Sequence, residues 1–319
     1  MIAAGKTQQD IAVLLDRDPG TISREIRRNS GQSGYRAFSA GGRAARSASS
    51  RNKGKRRMMK RERLRAYVLA GLRHHWSPRE IVKRIKMEYP YDEDMRISHE
   101  AIYQYIYVLP RGSLKQTLIR ALRQERKQRR KKNGRKGTAA ETRGKIADML
   151  SIEERPKEVA ERTVPGHWEG DLIMGKYKRS ALGTLVERAT RYTLLVPLGK
   201  DKDAVSVRKA YARTFRSVPK ELAKTLTYDQ GKEMSEHKAF TINTGIQVYF
   251  AHPASPWERG TNENTNGLIR QYFPKGTEFD KVSVREIKRV QRQLNDRPRA
   301  VLHYQKPDEV FNELVALKV

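Results

Sequence analysis

The chain has 319 residues and carries 67 Lys and Arg against 36 Asp and Glu, a net charge of +31. This length accommodates two or three domains. The absence of cysteine excludes disulfide scaffolds and cysteine-ligated zinc sites. Neither a run of about 18 apolar residues nor a secretory leader is recognisable, so we do not expect membrane insertion or secretion.

The charge excess favours a polyanionic partner and lies mainly in the first half of the chain. Residues 1–150 hold 37 basic and 14 acidic side chains, whereas residues 151–319 hold 30 and 22. Binding to phosphates would release counterions, so we expect it to weaken steeply with salt. A ribosomal or other RNA-associated protein is the alternative that composition leaves open.

Residues 1–30 are predicted to form two short helices joined by a turn. A capping box at residues 7–10 begins the first helix, and an Asp-Pro pair at residues 18–19 begins the second. Ile22 and Ile26 would form the apolar side of the second helix, which is typical of a helix-turn-helix that reads a major groove. An ordinary helical hairpin is the alternative. The side chains left facing outward for DNA contact are Thr21, Ser23, Arg24, Arg27 and Arg28.

Residues 31–60 are rich in Gly, Ser, Ala and Arg and include a dense basic run at residues 51–57. We interpret them as a basic linker able to follow phosphates, with a disordered spacer as the alternative.

Residues 61–122 are predicted to form a second helical module. Ser77-Pro-Arg-Glu80 is a full capping box with Pro at the first helical position, and Ser98 can cap a further helix. The best interpretation is a helix-turn-helix module at residues 77–107 that binds DNA. A purely structural helical domain is the alternative.

Residues 123–160 are interpreted as a second basic linker. They include an almost uninterrupted basic run at residues 126–132. Like charges in such a run repel one another, so we expect it to be extended without a partner and to mark a domain boundary.

Residues 161–319 show a mixed α/β pattern, with segments rich in the residues that favour strands and segments of helical periodicity. The predicted strands lie at residues 167–174, 181–187, 192–197, 225–228 and 247–251. The predicted helices lie at residues 204–216, 235–243, 262–272 and 284–294.

Three acids in this region, Asp171, Asp229 and Glu263, are the candidate catalytic residues. Asp229 and Glu263 have 33 residues between them, and Asp171 lies upstream. Three acids on different elements of a very basic chain suggest a carboxylate site for a divalent metal that works on a phosphate backbone. Mg²⁺ prefers hard oxygen ligands and retains several waters, so two or three carboxylates suffice.

The local pattern around each acid suits this role. Glu169 lies two residues before Asp171 and would point to the same side of the strand. Asp229 follows a predicted strand, and Gly231 permits a sharp turn there. Strand ends are common positions for ligands because the scaffold is rigid and the loops are open.

Glu263 falls in the first turn of a predicted helix, for which Thr261 or Asn262 is the expected cap. The positive end of the helix dipole favours an ionised carboxylate there. Candidate phosphate contacts flank the acids, namely Lys232 close to Asp229 and Asn264 or Asn266 close to Glu263.

Two other residue types near the acids are given structural roles. His167, His237 and His252 lack a recognisable zinc spacing and are interpreted as packing or hydrogen-bonding groups. Trp257 is interpreted as a loop anchor rather than a base-stacking residue.

Three motif blocks together resemble the DDE transposases of bacterial insertion sequences, in the family conventionally numbered thirty. They are Gly-His-Trp-Glu-Gly-Asp ending at Asp171, Tyr-Asp-Gln-Gly-Lys-Glu-Met around Asp229, and Asn-Glu-Asn-Thr-Asn-Gly-Leu-Ile-Arg-Gln-Tyr-Phe-Pro-Lys-Gly-Thr around Glu263. The resemblance extends over nearly the whole chain. It departs at the start, where the family has a further helix, so the first helix-turn-helix is expected to be truncated relative to the family.

The resemblance implies an α+β multi-domain protein. Helical helix-turn-helix modules would precede an RNase H-like catalytic domain at residues 161–319 with a mixed five-stranded sheet. It selects Asp171 over Glu169 as the first metal ligand and leaves Glu169 as a supporting residue. It also implies that Arg270, seven residues after Glu263, contacts DNA near the acids.

The function implied is a transposase that binds the terminal inverted repeats of its element. Asp171, Asp229 and Glu263 would hold two Mg²⁺ ions, with Mn²⁺ able to substitute, for 3′-end cleavage and strand transfer into target DNA. The expected partners are double-stranded DNA and at least one further copy of the chain, with no membrane. The expected location is the bacterial cytoplasm, at the nucleoid.

Three alternatives to this function are open. The first is a DNA-binding repressor of its own promoter without catalysis. The second is a serine or tyrosine recombinase with a covalent intermediate, although no recognisable recombinase motif surrounds the tyrosines. The third is a metal-dependent nuclease of the same fold without strand transfer.

Overall fold

A computed structural model of the chain describes residues 2, 5–31, 34–109, 112–122, 146, 148–253 and 255–317. These residues belong to two compact units. The first comprises Met1–Tyr67 and Asp92–Leu109, and the second comprises Val68–Tyr91 and Pro110–Val319. The basic run at residues 126–132 lies outside the described residues. Among the described helices, none is both long and apolar enough to cross a membrane.

Helices dominate the first part of the chain. They are α1 (Gln8–Leu14), α2 (Pro19–Asn29), α3 (Ala37–Lys60), α4 (Glu62–Arg73), α5 (Pro78–Glu88), α6 (His99–Val108) and α7 (Ser113–Ala121). A two-residue antiparallel pair, β1 (Ser30–Gly31) and β2 (Gly34–Tyr35), lies between α2 and α3.

The predicted helix-turn-helix pair at residues 1–30 is present. The side chain of Thr7 accepts a hydrogen bond from the amide of Asp10, and the carboxylate of Asp10 accepts one from the amide of Thr7, so the predicted capping box begins α1. Ile11, Ile22 and Ile26 pack between the two helices.

The segment at residues 31–60, expected to be a linker, is mostly the helix α3. Alanine at positions 37, 40, 44, 45 and 48 explains this difference, because alanine has the highest intrinsic helix propensity. The segment therefore connects its neighbours as a helix rather than as an extended spacer.

The predicted second module at residues 61–122 is divided between the two units, because α5 belongs to the second unit. Its predicted capping box is confirmed, with Ser77 and Glu80 bonded reciprocally. Glu80 also accepts a bond of 3.1 Å from Arg297, and Arg84 donates one of 2.7 Å to Glu309. These ion pairs hold α5 in the unit that contains the acids.

The second unit is built on the mixed five-stranded sheet that the resemblance implied, so the predicted fold class is confirmed. Its strands are β3 (His167–Met174), β4 (Ala181–Glu187), β5 (Thr193–Gly199), β6 (Thr225–Tyr228) and β7 (Gln247–Phe250). The strand order is β5-β4-β3-β6-β7, in which β3, β4 and β5 are antiparallel and β3, β6 and β7 are parallel.

The described part of this unit contains six helices besides those already given. They are α8 (Glu158–Glu161), α9 (Ala204–Phe215), α10 (His237–Thr244), α11 (Gly260–Ile269), α12 (Val284–Asn295) and α13 (Pro307–Ala316). Helices α8 and α13 had no counterpart among the predicted elements, whereas the predicted helices and strands are present within a few residues of their expected bounds.

The sheet separates two apolar cores. Trp168 of β3 packs with Tyr211 and Phe215 of α9 on one face. Ile173 of the same strand packs with Ile269 of α11 on the other face. An odd separation along β3 places these two side chains on opposite faces, as strand alternation requires.

Gly170 illustrates how tightly β3 is packed. A Cβ atom at Gly170 would lie 2.7 Å from a ring carbon of Tyr228, which is completely buried. We expect Gly170→Ala to destabilise the second unit by about 1–3 kcal/mol, because overpacking forces the ring and strand apart. The urea-unfolding midpoint measures this loss.

Gly112→Ala is the matched control, because a Cβ there meets no heavy atom within 4 Å. It should cost at most about 1 kcal/mol, because Gly112 is the N-cap of α7, where Ala is less favourable than Gly. Equal stability of the two variants would contradict the packing described for β3.

Candidate active site

Asp171 and Asp229 lie level with each other on neighbouring parallel strands. In the β3–β6 register, His167 is opposite Thr225 and Glu169 is opposite Thr227. Continuing this register by two residues brings Asp171 opposite Asp229, just beyond the end of β6. Adjacent strands are about 4.8 Å apart, so the two carboxylates are brought together beside the C-terminal end of β6.

The guanidinium of Arg259 spans these two carboxylates. One of its terminal nitrogens lies 3.6 Å from Oδ1 of Asp171, and the other lies 3.4 Å from Oδ2 of Asp229. The first nitrogen also donates to the carbonyl of Gly170 at 3.1 Å. A single delocalised cation therefore occupies the space between the two predicted metal ligands.

Further polar contacts orient each aspartate. Oδ2 of Asp171 accepts a hydrogen bond of 2.8 Å from the side-chain amide of Asn266, and Oδ1 of Asp229 accepts one of 3.1 Å from the amide of Gly231. Burial raises the pKa of Asp171, an effect that Arg259 opposes and Asp229 reinforces. Burial therefore disfavours the ionised form of Asp171, and Arg259 offsets this effect only in part.

Helix α11 lies alongside β3, and two hydrogen bonds join residues that are similarly spaced along the helix and the strand. Glu169 accepts a hydrogen bond of 2.9 Å from the amide of Asn262, and Asp171 accepts the bond from Asn266. Two residues along a strand advance about 6.6 Å and four along a helix about 6 Å, so the two spacings match. Glu169 and Asp171 point to the same side, as strand alternation predicted.

The predicted cap of α11 was wrong. The helix begins at Gly260, and neither Thr261 nor Asn262 caps it. Glu169 satisfies the amide of Asn262 from the neighbouring strand instead. The side chain of Asn262 is occupied elsewhere, because it accepts a bond of 3.1 Å from Thr184.

Glu169 itself is completely buried and forms an ion pair with Arg188, whose side chain is 3% exposed. Burial lowers the pKa of the Arg188 guanidinium, and the Glu169 carboxylate opposes this effect. Arg188 also donates to the carbonyl of Val159 at 3.2 Å. The carboxylate of Glu169 therefore binds both Arg188 and the beginning of α11, which agrees with the supporting role implied for it.

Glu263 lies in the first turn of α11, on the exposed surface and one turn before Asn266. Within the described residues, no hydrogen bond or ion pair joins it to Asp171 or Asp229, and no group of three or more His, Cys, Asp or Glu is arranged to hold a metal. The fold brings two of the three acids together and presents the third on the helix that contacts Asp171. The metal role of Glu263 stays a prediction.

Arg270 and Lys232 differ in their freedom to contact DNA. Arg270 is half-buried and donates to the carbonyls of Met174 at 2.9 Å and Pro274 at 3.3 Å. It thus continues the attachment of α11 to β3, a role that the motif alone did not indicate. Lys232 is exposed, three residues after Asp229. Both DNA contacts stay predictions.

On α2, the outward side predicted for DNA contact is solvent-exposed. The exposed residues of that set are Thr21, Ser23, Arg24, Arg27 and Arg28. Arg24 donates to the carbonyl of Gly20 at 2.9 Å. The face is accessible to a nucleic acid, and its contacts stay predictions.

The histidines have protein partners. Nδ1 of His167 is 2.8 Å from the hydroxyl of Thr225, and Nε2 of His237 is 3.2 Å from the carbonyl of Asp148.

The interpretation of Trp257 as a loop anchor was wrong, because its side chain is 70% exposed.

Sequence reasoning missed the roles of Arg259 and Arg188, and it gave Asn266 only as a candidate phosphate contact, whereas Asn266 donates to Asp171. Asn266 lies within the motif block around Glu263, three residues after that acid, so its position could have indicated a contact in the site. Nothing in the local sequence distinguishes Arg188 from a surface arginine, because its role depends on β4 ending beside β3.

Two family models match the chain. Residues 161–256 match a model described as the integrase core domain, and residues 1–29 match one described as a helix-turn-helix domain. The first match includes Asp171 and Asp229 and ends before Arg259.

The chain is similar to several curated transposases. It is 44% identical to the transposase for insertion sequence element IS1086 of Cupriavidus metallidurans, over 96% of this chain and 89% of that protein. It is 42% identical to transposase InsI for IS30A of Escherichia coli, over 99% and 81%. It is 35% identical to the transposase for IS4351 of Bacteroides fragilis, over 99% and 93%.

The buried pair of Glu169 and Arg188 is testable by a double-mutant cycle. Either Glu169→Gln or Arg188→Met leaves an uncompensated buried charge, so we expect each to cost about 3–5 kcal/mol in unfolding free energy. The double variant removes both charges and retains an acceptor for the amide of Asn262. It should lose clearly less than the sum of the two single losses, measured by urea unfolding. Additive losses would show that the two side chains do not stabilise each other.

Proposed function

The chain belongs to the family of insertion-sequence transposases numbered thirty, and on that premise we propose that it cuts and joins DNA at Asp171, Asp229 and Glu263. It is a transposase with a helix-turn-helix and an integrase core. The DNA substrates would be the terminal inverted repeats of its element and a target duplex, processed by 3′-end cleavage followed by strand transfer.

The observation that carries this proposal is the convergence of Asp171 and Asp229 on one guanidinium. Both carboxylates lie within 3.6 Å of Arg259, so the fold has built a position where a cation is held by these two acids. Unrelated surface acids would have no reason to share a cation at the open end of two parallel strands.

The donor set fits a divalent metal. The family generally depends on divalent metal, and Mg²⁺ is commonly bound through one or two carboxylates together with waters and substrate phosphate oxygens. We propose that Asp171, Asp229 and Glu263 hold two Mg²⁺ ions, for which Mn²⁺ can substitute. When bound, the ions supply Lewis-acid stabilisation of the charge on the reacting oxygens in phosphoryl transfer.

The chain's own residues prepare the site for this chemistry. Asn266 fixes one oxygen of Asp171, and the amide of Gly231 fixes one oxygen of Asp229, which leaves the other oxygens directed at Arg259. Glu263 lies on the exposed surface of the helix that Glu169 holds against β3. Exposed side chains change rotamer rapidly, and we propose that Glu263 turns toward a cation held by the two aspartates.

Arg259 acts in this proposal as an internal counter-ion. Two carboxylates at one strand end repel each other when both are ionised. The guanidinium offsets this repulsion in the free protein and competes with a divalent cation for the same oxygens. Binding of metal would release Arg259 toward the phosphate backbone, which guanidinium groups bind well.

Because two ends must be cut and joined together, we propose that the chain acts on DNA as a dimer or higher oligomer. The helix-turn-helix and integrase core imply DNA binding. A strand-transfer assay with the native element ends, Mg²⁺ and a supercoiled target tests the proposal as a whole. Cleavage without joining would favour the nuclease alternative, and end binding without either would favour the repressor.

Asp229→Ala removes one of the two converging carboxylates. We expect cleavage and strand transfer to fall about a thousandfold or more, because the metal loses a ligand that nothing else supplies. Binding to end-containing DNA should change little. A radiolabelled-end cleavage assay and a gel-shift assay measure the two quantities.

Glu221→Ala is the matched control, since Glu221 is an exposed acid of the same unit. It should leave both quantities unchanged. Cleavage at the parental rate by pure Asp229→Ala protein would overturn the assignment.

Arg259→Gln removes the competing cation and keeps hydrogen-bonding capacity. We expect the affinity for Mn²⁺ in the absence of DNA to rise about tenfold, which corresponds to about 1.4 kcal/mol. Isothermal titration calorimetry measures the dissociation constant directly. Arg259→Lys retains the charge and should stay closer to the parent protein, whereas an unchanged or weaker Mn²⁺ affinity in Arg259→Gln would refute the counter-ion role.

A further inference from the structure

Trp257 is the tryptophan that the fold does not bury. The chain has three tryptophans, of which Trp76 and Trp168 are 6% and 0% exposed and Trp257 is 70% exposed. It lies in a 3₁₀ turn at Pro256–Arg259, directly before α11. Exposing an indole forgoes a large burial free energy, so its position calls for a reason.

The exposure of Trp257 is set by its neighbours. Glu258 accepts hydrogen bonds of 2.8 Å from the amide and from Nδ1 of His252. Arg259 is held by the carbonyl of Gly170 and by the two aspartates. The turn is therefore fixed on the C-terminal side of Trp257 by two consecutive side chains, while the indole itself stays 70% exposed.

This position is next to the acids. Two residues span at most about 7 Å of chain, so the backbone of Trp257 lies within that distance of the backbone of Arg259. The Arg259 guanidinium contacts both Asp171 and Asp229. A nucleotide whose phosphate reaches the acids would place its base within range of the indole, since a base lies several ångströms from its own phosphate.

We propose that Trp257 is a base-binding residue that stacks on an unpaired nucleobase of the DNA strand held at the acids. This inference rests on the proposed function, because it takes DNA as the substrate. An indole offers a large flat apolar surface, and base–aromatic stacking is tolerant of sequence because every base has a π-face. Only a base that has left the helical stack presents that face.

The ligand is an unpaired base rather than a paired one for a geometric reason. In a duplex both faces of each internal base are covered by its neighbours, so an indole gains little by approaching it. A strand whose terminal bases are separated satisfies the stacking requirement and also exposes its phosphate to the acids. Trp257 would then stabilise the opened end at the moment when the phosphate is positioned.

Intrinsic fluorescence tests this proposal directly, because Trp76 and Trp168 are buried. The full-length chain is titrated with a single-stranded oligonucleotide and with a duplex of the same length. We expect the single strand to quench the tryptophan emission strongly and the duplex to quench it weakly. The signal should be lost in Trp257→Phe, which retains only the two buried indoles.

Binding affinities of variants supply a second readout. Trp257→Leu should weaken single-strand binding by about 5- to 150-fold, the range of one lost stacking contact. Trp257→Phe should recover most of this loss because it keeps an aromatic face. The dependence of affinity on salt should stay unchanged in both, since stacking removes no phosphate contact. Ile242→Ala, which alters an 83% exposed apolar side chain of α10, is the matched control and should bind as the parent does.

Three results would overturn the proposal. They are equal quenching by single strand and duplex, quenching that persists in Trp257→Phe, and an emission change that follows protein concentration without DNA, which would assign Trp257 to contact between copies of the chain. Asp229→Ala should show the full quenching. A failure of the cleavage assay and a failure of base stacking are therefore separate outcomes.

Discussion

The buried carboxylate of Glu169 is the contact on which the geometry of the site depends. It lies between the guanidinium of Arg188 and the amide of Asn262, and so it joins β3, the segment after β4 and the beginning of α11. A buried charge is tolerated only where it is paired and hydrogen-bonded, so this arrangement admits few alternatives. The position of α11 determines in turn where Glu263 and Asn266 lie. The proposed third metal ligand is thus placed by Glu169, which is not itself a proposed ligand.

Electrostatic repulsion explains the rest of the site. The parallel register of β3 and β6 forces Asp171 and Asp229 to the same level, which is favourable for a shared cation and unfavourable without one. The protein supplies its own cation through Arg259, on the turn that leads into α11. One short segment therefore holds the internal counter-ion, the third acid and the exposed indole of Trp257.

Much of the fold could be predicted from sequence, because it depends on local patterns. β3, β4 and β6 lie at their expected residues, since runs of alternating or continuous apolar residues between turn signals are a property of the segment itself. The same holds for the capping boxes at Thr7 and Ser77, where spacing alone fixes the hydrogen bonds. Asp171 and Asp229 were recognisable from their motifs, and strand register brings them together.

What sequence could not supply depends on contacts between distant segments. The cap of α11 was assigned to its own residues because local caps are the rule, whereas a strand 93 residues away provides the acceptor. Trp257 was interpreted as a loop anchor, whereas its side chain is 70% exposed. Arg259 carries no local sign that it faces two acids.

The attachment of α5 to the second unit also depends on contacts between segments that are distant in the sequence. Its helical pattern is that of a helix-turn-helix, yet Glu80 and Arg84 pair with Arg297 and Glu309 of the catalytic unit. Arg297 and Arg84 are nearly buried, so salt screens these pairs far less than it screens exposed phosphate contacts. Raising the ionic strength would therefore release DNA before it released α5. The sequence places α5 in a predicted DNA-binding module, whereas these ion pairs hold it in the unit that contains the acids.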